Sequence, residues 1–347
     1  MSEKLFDIDA FRAQPLPTEE SIIDAWGGDL EFKVTVCCIC FNHEKYILDT
    51  LQGFFSQITN FPFKVLIYDD LSTDKSRYKI IKKKKKYPKI IDIVFPDENQ
   101  HSKGNRPLYF LFPKVNTEYL AMCEGDDYWC SSSKLQRQFD ALEKNKQFNI
   151  CCHPSFTLLN GELFDRDYGK LKGKNEAIKV EKVIEVSGGL IPMASMFIRS
   201  NALTKYSLEY PELYQKYLRH SAIQIISCLP NGVLYLDETM SVYRSMHEGS
   251  WSYRNKHDAT ERLNNYMEFV KRNRNIKKIT EHKYDHLFNK VMKRRIYSLV
   301  SSPDISFIES LYSYFELVKL PLKVSDKLFG FICVFLGVVK RLIFKFK

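Results

Sequence analysis

An open α/β sheet is the fold class this sequence predicts, and three observations carry it. Residues 34–41 form a continuous apolar run rich in Val, Ile and Cys, as a strand buried on both faces does, and residues 63–68 read as a second buried strand. Segments of helical periodicity alternate with those runs, the pattern of a mostly parallel sheet. Acidic and polar residues collect directly after the runs, at the strand C-termini where open α/β sheets hold their ligands.

Length and charge bound what such a sheet can serve. At 347 residues, 44% hydrophobic and 14% aromatic, the chain has material for a large core plus an appendage, which excludes wholesale disorder. Lys and Arg number 52 against 42 Asp and Glu, a net charge of +10. That balance favours an anionic partner: nucleic acid, a phosphorylated substrate or an acidic membrane leaflet. No zinc spacing, aromatic RNA-binding signature or recognition helix accompanies the charge, so nucleic acid is not expected as a partner. The nine cysteines lie largely in apolar segments and read as reduced core residues. Cys37 and Cys40 have CxxC spacing but fall in a strand, where positions i and i+3 face opposite ways. The N-terminus lacks an apolar signal region, and a cytoplasmic location is expected.

Taken in order, residues 1–30 are polar, without clear periodicity, and read as an arm or loose cover. The strand at 34–41 follows. Asn42 is placed to cap a helix whose apolar residues Ile47, Leu51, Phe54 and Phe55 share one face. The strand at 63–68 ends in Asp69-Asp70, and Leu71-Ser72-Thr73-Asp74 starts another helix. That helix closes on Lys82 to Lys86, which suit the negative end of its dipole and face either water or a membrane surface. A third strand is expected at 90–95 and a fourth, short and buried, at 119–122. Ser133 is placed to cap a helix bearing Leu135, Phe139 and Leu142. A strand at 150–153, a loop or hairpin over 162–177, a buried segment at 191–197, a helix at 221–229 and a strand at 233–236 complete the domain. Residues 256–300 are basic, with scattered apolar positions, and read as a helical surface more than a second core.

The stretch Cys123-Glu124-Gly125-Asp126-Asp127-Tyr128-Trp129 sits at the exit of the fourth strand and holds three carboxylates within four residues. Like charges this close call for a compensating cation or partner, unless they simply form an acidic surface loop. Gly125 lets the chain turn and a ligand approach. Hard oxygen donors suit Mg or Mn, ions that share their coordination sphere with substrate phosphates. Asp70 belongs to the same sheet edge.

These pieces resemble, in order, the inverting family 2 glycosyltransferases of the GT-A fold, in particular bacterial enzymes of surface-polysaccharide synthesis. The blocks are Cys40-Phe41-Asn42, Tyr68 to Asp74, and Cys123 to Trp129 with Lys134-Leu135-Gln136. Later come Tyr235-Leu236-Asp237-Glu238, Tyr243-Arg244, His247-Glu248-Gly249 and Trp251-Ser252; together the blocks cover roughly residues 32–255. The resemblance implies a Rossmann-like mixed sheet flanked by helices, with a helical C-terminal extension. It implies a nucleotide-diphosphate sugar donor, a UDP-sugar, and a divalent ion, Mn or Mg. Phe41 would lie against the base, Asp70 would accept a hydrogen bond from it, and Glu124 would hold the ribose. Asp126 would ligate the ion, with Asp127 supporting it directly or from behind and belonging to the catalytic set. Arg244 would clamp phosphate, His247 would add a metal ligand or phosphate contact, and Trp251 would stack on sugar or anchor the loop.

The general base departs from the family pattern. Where the family places an Asp, this chain has His220, within Leu218-Arg219-His220-Ser221. A neutral imidazole is a competent base near pH 7. A carboxylate such as Glu212 is the competing choice, and a non-catalytic nucleotide-sugar-binding or scaffold protein is the competing function. At the C-terminus, Ser302-Pro303-Asp304 is a helix start for an apolar stripe from Ile305 to Val318, and residues 328–339 run 12 positions without charge before Lys340-Arg341. Twelve residues rise about 18 Å against a hydrocarbon layer of about 30 Å. The segment is therefore expected to lie in the membrane interface, with packing on the catalytic domain as the other possibility. The expected organisation is an arm at 1–30, a GT-A catalytic domain at 31–255 and a basic helical, membrane-associating extension at 256–347. The expected acceptor is a polyprenyl-diphosphate-linked glycan at the inner face of a bacterial cytoplasmic membrane.

Overall fold

The computed structural model describes residues 6–159, 161–171, 177–247, 253, 259–300, 311, 314–315, 319 and 324–345. Along the chain, α1 (Ile8–Ala13) and α2 (Glu19–Ala25) precede β1 (Val34–Cys40), α3 (Ile47–Phe55), β2 (Phe63–Asp69), α4 (Ser76–Lys84), β3 (Ile91–Val94) and α5 (Pro107–Leu111). β4 (Tyr119–Glu124), β5 (Tyr128–Trp129) and α6 (Lys134–Lys144) carry and follow the acidic stretch. Then come β6 (Ile150–Cys152), β7 (Ser155–Leu159), β8 (Glu162–Tyr168), β9 (Ala177–Ile178), α7 (Val180–Val186), β10 (Phe197–Arg199), α8 (Ser200–Thr204), α9 (His220–Ser227), β11 (Val233–Tyr235) and β12 (Ser241–Ser245). The chain forms two compact units, residues 1–183 with 188–245, and residues 184–187 with 246–347.

In the first unit an eight-stranded sheet runs in the order β3-β2-β1-β4-β10-β6-β11-β9. β1 lies parallel to both β2 and β4, with Val34 opposite Phe63 on one side and Tyr119 on the other. β10 is antiparallel to β4, so the sheet is mixed. With helices flanking it, this is the GT-A fold. Every residue of β2 is buried, Lys64 and Asp69 included, and between them Val65 to Tyr68 are apolar. Val36, Cys38 and Cys40 point from β1 into a core shared with Leu51, Phe54 and Phe55 of α3. Burying each such side chain contributes about 1.5–3 kcal/mol. Cys37 and Cys40 are both free and buried, and burial pushes the Cys37 thiol up to about 12.

Four details differ from the sequence reading. Asn42 does not cap α3; it takes a left-handed φ of 55° and its side chain accepts the Thr73 N–H at 2.8 Å. Ser133 precedes α6 without a side-chain capping bond, because its hydroxyl lies 3.1 Å from that of Ser131. Residues 6–30 are more than a loose cover: α1 and α2 bury Phe11, Ile22 and Trp26. A second sheet, β5-β12-β7-β8, unforeseen in the sequence, stands beside the first; the loop or hairpin expected from residue 162 contributes β8, antiparallel to β7.

The second unit holds α10 (Ala259–Ile279), α11 (Asp285–Val300) and α12 (Val324–Lys345). The two basic helices are not merely surface. Tyr266, Phe269, Val270 and Ile276 are buried on α10, and Phe288, Val291, Met292 and Ile296 on α11. On α12, Cys333 and Val334 are buried while Leu328, Phe331, Ile332 and Phe335 are exposed. Among the described residues no helix is long and apolar enough to cross a membrane. Trp251, the expected helix start at 302–304 and most of the stripe from Ile305 to Val318 lie outside the described residues.

Candidate active site at the carboxyl edge of the central strands

The parallel register of β1, β2 and β4 brings their C-terminal exits to one edge of the sheet. Phe41, just past β1, is 43% exposed there, unusual for a large aromatic beside a buried strand. Two left-handed residues, Asn42 and Leu71 (φ 63°), turn the chain at the exits of β1 and β2. The two exits are stitched together: the Ser72 hydroxyl accepts the Asn42 N–H at 2.9 Å, and the Asp74 carboxylate accepts the Glu44 N–H at 2.9 Å. Asp69 accepts the backbone and hydroxyl hydrogens of Ser72 at 3.0 and 2.6 Å, so it shapes the turn and Asp70 is left for other work.

Asp70 is 1% exposed. Its carboxylate accepts the N–H groups of Gln100 and His101 at 2.8 and 2.9 Å and the Tyr68 hydroxyl at 3.2 Å. The segment following β3 therefore closes over the end of β2.

The acidic stretch leaves β4 at Glu124 and turns at Gly125, whose N–H donates to Ile39 O at 2.8 Å. A Cβ on Gly125 would meet His43 Nδ1 at 2.8 Å and Ile39 O at 3.2 Å, so the turn requires glycine. The Thr50 hydroxyl, from α3, lies 3.0 Å from Gly125 O and 2.6 Å from Asp127 O. Asp127 is buried; its carboxylate accepts the Arg244 N–H at 2.8 Å. Burial, with the charges of Asp126 and Glu124, pushes its pKa well above the usual carboxylate range. Asp126 stays partly exposed, with its Oδ2 3.9 Å from His43 Nε2.

Arg244 does not extend into open space. Its guanidinium donates to the Asp49 carboxylate and to Asp126 O, and lies 4.5 Å from the centre of the Tyr128 ring. In this arrangement it braces the acidic turn from behind. Asp49 is also gripped by Arg12, at 2.9 and 2.8 Å to its two oxygens. Neither Asp49, Thr50, Arg12 nor His43 stands out in the sequence. The available signal was polar residues within α3, where Asp49 and Thr50 share a helix with Leu51, Phe54 and Phe55 and are buried with them.

His220 opens α9, with Nε2 2.7 Å from Ile191 O and 2.8 Å from Gln224 Nε2. Nε2 donates to the Ile191 carbonyl in one tautomer and accepts from the Gln224 amide in the other, so either tautomer keeps the ring in place. Phe41, Asp70, Glu124, Asp126, Asp127, Arg244 and His220 all belong to the first unit, whereas His247 falls in the second.

A divalent ion fits the acidic turn. Glu124 and Asp126 are the accessible hard oxygen donors, His43 faces Asp126, and the Gly125 approach leaves the turn compact. Among the described residues no three His, Cys, Asp or Glu side chains converge as a ready cage. Mg or Mn needs none, since phosphate oxygens and water complete their shells.

Residues 35–200 match the family model described as Glycosyl transferase family 2. That span contains Phe41, Asp70, Glu124, Asp126 and Asp127 and stops before His220, Arg244 and His247. Uncharacterized proteins of Mycobacterium tuberculosis and Mycobacterium bovis are 28% identical over 227 residues, 63% of this chain. The chain spans about 60% of the length of these relatives. Among solved structures, S. aureus TarS is similar with a TM-score of 0.60 at 14% identity, over 89% of this chain and 54% of that one. Its residues 1–349 in complex with UDP-GlcNAc give a TM-score of 0.56 at 13% identity, over 91% of this chain and 93% of that one. At this identity the likeness shows the fold.

Proposed function

We propose that this chain is a metal-dependent, inverting glycosyltransferase using a nucleotide-diphosphate sugar, a UDP-sugar. Its acceptor would be a polyprenyl-diphosphate-linked glycan of bacterial surface polysaccharide (O-antigen or capsule), and the sugar moved a hexosyl or N-acetylhexosaminyl group. One observation carries the reading: the shared register of β1, β2 and β4 gathers Phe41, Asp70 and the Glu124–Asp127 turn at one sheet edge. An aromatic face, a buried carboxylate and a solvent-facing acidic turn are what a base, its polar edge and a cation-bridged diphosphate require. UDP and UDP-GlcNAc bind TarS, a protein of the same fold, which is in keeping with that donor class.

In this reading Phe41 stacks on the base, Asp70 accepts from its edge and Glu124 holds the ribose. A divalent ion, when bound, offsets the negative charge that builds on the leaving diphosphate. Asp126 would be its protein ligand. Asp127 and Arg244 act through the turn: a carboxyl and a guanidinium that hold it fixed leave Asp126 preorganised for the ion. His220 is the general base. The Ile191 carbonyl and the Gln224 amide hold its ring, and the neutral imidazole takes the acceptor hydroxyl proton as that oxygen attacks the sugar carbon opposite the departing diphosphate. The exposed apolar residues of α12 and the adjoining Lys340-Arg341 fit a place on the inner face of the membrane, where such an acceptor resides.

Calorimetric titration of UDP with and without Mn, on wild type and Asp126→Ala, tests the proposal. Mn-dependent binding that the substitution removes is the expected result. Binding that ignores both Mn and Asp126 overturns the metal assignment, and absence of UDP binding overturns the donor class.

A further inference from the structure

We propose that the N-terminal segment is a latch on the acidic turn, in which Arg12 and Asp49, acting through Arg244, set the position of Gly125–Asp127 and so the strength of diphosphate binding. The inference rests on the function proposed above for its ligand, but its geometry stands on the structure alone.

The latch begins with a short capped helix. Asp7 caps α1, its carboxylate accepting the N–H groups of Asp9 and Ala10, both at 3.0 Å. The capped turn presents Arg12 and Phe11 towards α3 and β5. Arg12 meets Asp49 with two parallel N–H donors, the geometry that gives an arginine–carboxylate pair its directionality. Asp49 is 7% exposed, so its charge is held by ions rather than water. The same carboxylate receives Arg244, which places it between two guanidinium groups. Arg244 then reaches the site by two routes: its guanidinium donates to Asp126 O and its backbone N–H to the Asp127 carboxylate. Two side chains, Asp49 and Arg244, separate Arg12 of the N-terminal arm from the Asp126 backbone.

An apolar contact runs beside the charged one. Phe11 stacks on Tyr128 with centroids 5.1 Å apart, and Phe6 lies 6.0 Å from the same ring. Gln52 adds a third tie, its amide donating to Gln14 O at 2.7 Å. Tyr128 directly follows Asp127, so arm and turn share one packed cluster.

The charges are unevenly placed, and this decides where the effect appears. The Arg12 side chain is 49% exposed while that of Arg244 is 5% exposed. A half-exposed ion pair adds little to global stability. Losing it still leaves Asp49 with one partner and lets the Arg244–Asp49 unit relax, and small displacements of a binding constellation are costly. Removing Arg12 should therefore register at the site more than in the melting temperature.

The experiment compares wild type, Arg12→Met and Arg12→Lys in full-length protein. It measures UDP affinity with Mn, amide hydrogen exchange over residues 124–129 and 243–245, and Tm. Arg12→Met is expected to weaken Mn-dependent UDP binding roughly tenfold. It should also speed exchange at the Arg244 amide and move Tm by no more than about 4 °C. Arg12→Lys, which keeps charge but loses the two-pronged grip, should fall between. Unchanged affinity and unchanged exchange in Arg12→Met overturn the latch, as does an affinity loss that merely follows a large fall in Tm. If wild type itself fails to bind UDP, the proposed function fails, while the exchange comparison still decides the latch: faster exchange supports it and equal exchange overturns it.

Discussion

Lys134 shows how far a single residue can depart from its usual setting. It is fully buried, with its amine 2.6 Å from Gln138 Oε1 and 4.0 Å from the centre of the Trp129 ring. Desolvation pushes its pKa down to about 7 from 10.5. Between these values the unfolded chain carries a proton that the folded chain lacks, so this residue makes stability rise with pH from about 7 to about 10.5. Below the folded value its contribution is fully lost. Denaturant unfolding at several pH values should show that slope in wild type, and Lys134→Met should flatten it; an unchanged slope would refute the assignment. At this scale the sequence displayed acidic residues well and their supports poorly. Asp126 and Asp70 are conspicuous beside apolar strands. Arg12 and Asp49 are 37 residues apart, and only the folded chain brings them together. Asn42 looked like a helix cap because capping residues and turn residues are the same types; its partner, Thr73, comes from another loop.

Among elements, α3 does the most to support the acidic turn. Gly53 is where α3 meets β5: a Cβ there would lie 2.5 Å from Trp129 O and 2.8 Å from Trp129 N, both backbone atoms that cannot swing away. Gly53→Ala should destabilise the protein by about 1–3 kcal/mol, read as a lower denaturant midpoint. A midpoint equal to wild type would mean that α3 and β5 do not approach as described. Strands β1 and β2 were legible because burial on both faces makes them predominantly apolar. The β5-β12-β7-β8 sheet was not legible: β5 has two residues, and β7 pairs in parallel with β12 across more than eighty positions, Ser155 opposite Ser241. Strands this short carry too few positions for an alternating pattern to register.

For the molecule as a whole, charge and apolar surface meet at the C-terminus. Val324, Leu328, Phe331, Ile332, Phe335 and Leu336 are all exposed on α12, and Lys340 and Arg341 follow them in sequence. Bare aromatic and aliphatic surface in a segment that runs on into cations in sequence fits an anionic lipid interface, where each cation near the surface contributes about 1 kcal/mol. The full chain should sediment with phosphatidylglycerol vesicles and less with phosphatidylcholine ones, and salt should weaken the association. The combined change Leu328→Ser, Phe331→Ser and Phe335→Ser should release it. Failure to bind anionic vesicles, or binding that survives the triple change, would remove the membrane from the reading. The net charge of +10 favours an anionic partner without saying where one would dock; the vesicle experiment tests α12 as that surface.

The engagement of Asp70 has a consequence for selectivity. The Gln100 and His101 amides and the Tyr68 hydroxyl take three of the roughly four acceptor positions on this carboxylate. Under the proposed function, a base that offers one N–H meets the remaining position, whereas one that offers two adjacent donors would have to displace the chain's own.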